Sequence, residues 1–96
     1  MVTVVNLRSS SFTVYAGRPG RGKPGPFGNP FIVGVHGARG ECVELFRSWF
    51  HSSDPHAVAM REAALRLPPD AILGCFCKPA SCHADVIAAF INSHSE

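Results

Sequence analysis

The spacing of apolar positions changes several times along the chain, and each change marks an element. Val2, Val4, Val5 and Leu7 form a β-branched, apolar run that predicts a strand over 2–7. Ser9, Ser10 and Ser11 break it. Phe12–Tyr15 reads as a second strand, and Phe31–Val35 as a third, ended by His36 and Gly37. From Glu41 the period becomes helical. Cys42, Leu45, Phe46, Trp49 and Phe50 recur at i, i+3, i+4, i+7 and i+8, with Glu41, Glu44, Arg47 and Ser48 opposite. That stripe belongs to a core, and Cys42 with it. A second helix starts at Asp54-Pro55, with Asp54 or Ser53 as cap and Pro55 at the first helical position. It runs to about Leu67, before Pro68-Pro69. Ala71–Cys77 is an apolar run of strand length, and Lys78–Ser81 a tight loop. Cys82 or His83 then opens a last helix to about Asn92, with Val86, Ile87, Phe90 and Ile91 inward.

This order predicts an α/β fold, a small sandwich of about four strands with three helices. Its C-terminal strand–loop–helix is Rossmann-like, and sites in such folds gather at the carboxyl ends of strands, where Cys77–His83 falls. With 96 residues the expectation is a single domain over 1–96. A hydrophobic share of 46% against 17% charged residues excludes a disordered chain. No apolar run approaches the ~18 residues of a membrane span, so no membrane partner is expected. Met1–Val5 carries no basic stretch, which argues against a secretory signal and for a cytoplasmic protein.

A net charge of +2 is too small to argue for nucleic acid, but the charge is unevenly spread. Residues 1–40 hold Arg8, Arg18, Arg21, Lys23 and Arg39 and no acid, whereas residues 41–96 hold four bases and seven acids. An acid-free basic half favours an anionic partner; the alternative is a surface whose acids lie elsewhere in the fold. Nine of the fourteen residues from Gly17 to Pro30 are Gly or Pro, so this segment is a loop. Gly17–Lys23 fits G-x-x-x-x-G-K, but Pro24 replaces the magnesium-binding hydroxyl and the prolines forbid the following helix. Two readings remain, a looser anion-binding loop and a solvated surface loop.

Of the cysteines, Cys42, Cys75, Cys77 and Cys82, three fall within eight residues, and His83 follows the last. A disulfide framework is not expected in a cytosolic chain. A c-type haem is not expected, because attachment wants C-x-x-C-H and four residues separate Cys77 from Cys82. Three readings stay open. Cys75, Cys77, Cys82 and His83 could bind zinc, although Cys82 and His83 adjacent on a helix would diverge by about 100°. Cys82 at a helix N-terminus could be an activated thiol, with His83 as base, Asp85 as orienting carboxylate and Cys77 as the other nucleophile or polar contact. Or the thiols are small buried groups, with His83 capping or hydrogen-bonding. His36, His51, His56 and His94 fall near element ends and are expected to face solvent.

Several stretches resemble the family catalogued as domain of unknown function 4326, whose members are short proteins of bacteria and bacteriophages. They are Val5-Asn6-Leu7-Arg8, Tyr15-Ala16-Gly17-Arg18, Gly28-Asn29-Pro30-Phe31, Arg39 with Glu41, and Leu73–Pro79 running into Cys82-His83-Ala84-Asp85-Val86. The family usually has Trp where this chain has Phe76, and a shorter linker than Gly20–Pro26. The last block is also similar to domain of unknown function 488, which carries a cysteine, a proline loop and a Cys-His pair opening a helix. The resemblance implies a compact α/β fold and a pocket joining Arg8 and Tyr15–Arg18, Gly28–Asn29 and Cys77–Asp85. No activity comes with it.

The expectation is therefore a pocket for an anionic ligand, a nucleotide or a nucleic-acid component. Arg8, Tyr15, Gly17, Arg18, Gly28, Asn29 and Arg39 would hold it, and Cys77, Cys82, His83 and Asp85 would stand beside its recognised or reacting group. The alternative is a module that binds a host protein, its Cys/His segment structural, with or without zinc.

Overall fold

The computed structural model describes residues 1–17, 27–31, 34–75 and 82–94. Among them are three strands, β1 (Thr3–Asn6), β2 (Val14–Tyr15) and β3 (Ile72–Cys75), and three helices, α1 (Arg39–Phe50), α2 (Pro55–Leu65) and α3 (His83–His94). The sheet order is β1-β3-β2, with both pairs parallel. β3 is the most apolar of the three and takes the centre, where a parallel strand is covered on both faces; Leu73 and Cys75 are fully buried. The last-predicted strand thus lies between the first two.

α3 packs against β1 and β3, while α1 and α2 pack on α3 and on each other. α3 is therefore enclosed on most sides, which fits its composition: Ala84, Val86, Ile87, Ala88 and Ile91 are all buried. Its far end holds the start of the chain. Asn92 accepts from the Val2 N–H at 2.8 Å and donates to the Val2 carbonyl at 3.0 Å, pairing a backbone that the sheet leaves open.

The helix boundaries follow the sequence closely. Asp54 Oδ1 accepts from the His56 N–H at 2.8 Å, with Pro55 opening α2. Glu41 reaches back to the Ala38 N–H at 3.0 Å and starts α1. Arg61 on α2 donates to the carbonyls of Phe50 and Ser52, so the end of α1 is tied to the next helix. Phe46 and Phe50 stack at 5.4 Å in the core, with Phe90 edge-on to Phe50 at 5.2 Å. The four histidines expected to face solvent, His36, His51, His56 and His94, are exposed. No helix among the described residues is long and apolar enough to cross a membrane.

Two expectations change. The strand over 31–35 is absent at its described residues. Gly34 and Gly37 adopt φ of +89° and +146°, and the Gly34 N–H donates to the Gly37 carbonyl at 2.8 Å, which closes a loop and leaves Val35 exposed. On α1, Val43 is buried and Leu45 exposed, because the buried face is centred on Cys42, Phe46 and Phe50.

The short link from β1 to β2 has to cross β3. Thr13 already pairs with Ile72, well back from Cys75, the level at which β1 ends. Phe12 makes the crossing and lies in the space that a side chain at residue 74 would fill: a Cβ on Gly74 would stand 2.6 Å from Phe12 Cγ. Gly74→Ala should accordingly lower stability by about 1–3 kcal/mol in chemical denaturation. The same change in a Phe12→Ala background should cost far less. Equal costs in both backgrounds would show that the contact does not set the requirement for glycine.

Candidate functional site

The three strands end together. Asn6 pairs with Cys75 and Tyr15 with Gly74, and the ladder continues through Leu7 N–H to Cys75 O at 3.0 Å and Ala16 N–H to Gly74 O at 2.9 Å. Arg8, Gly17 and Cys75 thus leave the sheet at one edge. His83 brings the start of α3 and the loop residue Phe27 to the same edge.

His83 is buried, and its Nε2 lies 2.7 Å from the Ala16 carbonyl and 2.8 Å from the Phe27 carbonyl. A carbonyl only accepts, so these partners assign the proton to Nε2, which donates to both. In the neutral ring Nδ1 is then an acceptor, and it faces Cys82 Sγ at 3.6 Å. The ring edge meets Phe46 of α1 at a centroid distance of 5.2 Å. One imidazole therefore joins the exit of β2, the long loop, α3 and the core face of α1.

Cys82 Sγ also lies 3.0 Å from Cys75 Sγ, and both residues are buried. Cys82 precedes the helix rather than lying on it. The angular divergence expected of neighbours on a helix does not apply, and sulfur and imidazole meet. Asp85 stands at the first turn of α3. Its Oδ2 accepts from the Cys82 N–H at 3.2 Å, while its own N–H donates to the Cys82 carbonyl at 3.0 Å. It closes the first turn as a capping carboxylate, and the Ala16 and Phe27 carbonyls orient His83.

The remaining candidates divide by role. Gly17 is buried under Tyr15, whose ring and hydroxyl occupy the place of a Cβ there. Asn29 accepts from the Phe31 N–H at 2.9 Å and donates to the Cys42 carbonyl at 3.5 Å, which holds the loop on α1. Gly28 lies between Asn29 and the Phe27 carbonyl that His83 binds. Arg8 is exposed at the edge, with its N–H on Asn6 Oδ1 at 2.9 Å. Arg39 opens α1, and its side chain lies outside the described part. Arg18 and Cys77 lie outside the described residues. Among the described residues no three Cys, His, Asp or Glu side chains come together so that they could hold a metal ion. Every buried side-chain nitrogen and oxygen among them has a partner.

The carbonyls of Ala16 and Phe27 were not foreseen from sequence, because a backbone acceptor carries no residue signature. Phe27, the single aromatic residue in the Gly/Pro-rich stretch, was the one available hint. A model of the family described as Domain of unknown function (DUF4326) matches residues 4–93. No curated protein and no solved structure matches the chain.

His83→Phe keeps the ring against Phe46 but leaves two carbonyls without their donor. Each such loss costs about 1–3 kcal/mol when the group stays buried. Chemical denaturation should show a drop of that order, and hydrogen exchange should speed up at Ala16. Unchanged stability would mean that the tie does not hold these segments.

Proposed function

Because the chain belongs to the family described as Domain of unknown function (DUF4326), a description without an activity, we propose its function from the site alone: a small domain that binds an anionic, phosphate-bearing ligand, a nucleotide or a nucleic-acid component, at the carboxyl edge of its sheet. The observation that carries this is the convergence at one edge of three parallel strand ends and the start of α3, fastened by His83. In open parallel sheets this is where ligands bind. Two arginines support this reading: Arg8 follows β1, and Arg18 follows Gly17 directly in sequence. Guanidinium groups suit phosphate by charge and by paired N–H donors. The Cys75, Cys82 and His83 group forms the floor on which the edge is built, and its thiols suit a reducing, cytoplasmic setting.

A second reading draws on one feature of the same group. Cys75, Cys82 and His83 are buried and bonded within the fold, as expected of a structural knot in a protein-interaction module.

Calorimetric titration with nucleoside mono-, di- and triphosphates should find one class that binds. Arg8→Ala and Arg18→Ala should each weaken it at least about tenfold, roughly 1.4 kcal/mol, with unchanged circular dichroism. Absence of binding, or equal affinities, would remove the ligand role. Cys82→Ser separates the two readings: a folded variant with altered ligand affinity supports the binding edge, and a variant that unfolds supports the structural knot. If that knot holds zinc, a chelator should unfold the wild type as well.

A further inference from the structure

We propose that Cys75 and Cys82 are an oxidisable pair, which a small hydroperoxide closes into an intrachain disulfide. The inference is independent of the ligand reading. The two sulfurs lie 3.0 Å apart, within about 1 Å of disulfide bonding distance. Both cysteines are held by backbone. The Cys75 carbonyl accepts from the Leu7 N–H at 3.0 Å at the end of β3, and Cys82 exchanges two hydrogen bonds with Asp85 at the start of α3. These bonds hold the two backbones, and with them the two Cα atoms, in place beside each other. The third described cysteine is an internal contrast: Cys42 Sγ donates to the Gly37 carbonyl at 3.5 Å on α1.

His83 supplies the proton chemistry. Its Nε2 is committed to two carbonyls, so Nδ1, at 3.6 Å, is the acceptor that faces the Cys82 thiol. Cys82 gives its proton to Nδ1, and the thiolate attacks one peroxide oxygen. The O–O bond breaks, and the departing oxygen takes that proton and leaves as water or alcohol. Cys82 is now a sulfenic acid. The Cys75 thiol attacks its sulfur, the S–O bond breaks, and the hydroxyl leaves with the Cys75 proton as water. Two electrons pass from the sulfurs to the peroxide. Burial of both thiols favours an oxidant as small as hydrogen peroxide over a protein disulfide.

The test treats the full-length chain with equimolar hydrogen peroxide, alkylates it in denaturant and maps its peptides by mass spectrometry. The expected product has lost two hydrogens and carries a Cys75–Cys82 cross-link that dithiothreitol reverses. In Cys75→Ser the cross-link should vanish, and dimedone should trap a sulfenic acid at Cys82. His83→Gln should slow oxidation about tenfold or more. A cross-link through Cys42 or Cys77 instead, or survival of all thiols, would overturn the proposal. Peptide mapping of the wild type separates these outcomes even if a variant fails to fold.

Discussion

One shared proton holds the carboxyl edge of the sheet together. His83 Nε2 donates to the carbonyls of Ala16 and Phe27, which lie in two different segments of the chain. Buried carbonyls without a donor would each cost about 1–3 kcal/mol, so the loop can lie on the core only where such a donor is supplied. An imidazole suits the task. It is flat enough to stand edge-on against Phe46, and it carries a donor on one side and an acceptor on the other. The donor side satisfies the fold, and the acceptor side meets Cys82.

The sheet is small, and its order makes the site compact. With β3 in the middle, the edge where the strands end also receives Cys82 and the start of α3. That geometry needs a crossing from β1 to β2 over the face of β3. The crossing is possible because Gly74 leaves room for the Phe12 ring. A residue in the centre of the sheet thus fixes the placement of β2, and through Ala16 it fixes the position of a carbonyl that His83 binds.

The two thiols beside His83 belong to different elements, one ending a strand and the other preceding a helix. Their proximity follows from the β3–α3 unit, in which α3 starts beside the end of β3 and its far end reaches Val2 at the start of the sheet. Asp85 secures the second thiol by closing the first turn of α3 around the Cys82 backbone. Burial, the contact between the two sulfurs and the contact between Cys82 and the His83 ring therefore coincide in one place.

The sequence by itself determined the helices, the outer strands and the position of the Cys-His pair. These depend on local physics: the 3.6-residue period, the Asp54-Pro55 start, the β-branched run at the N-terminus, and a cysteine before a helix. Only the tertiary structure decided the rest. The β1-β3-β2 order depends on pairings between residues far apart in the chain, such as Thr3 with Ile72 and Val14 with Leu73. The glycine turn at Gly34–Gly37 depends on a bond between Gly34 and Gly37. The exchange of Leu45 for Val43 in the core depends on how α1 is rotated against its neighbours. The partners of His83 are backbone carbonyls, which every residue carries, so no residue type marks them in advance; only the folded chain selects two of them.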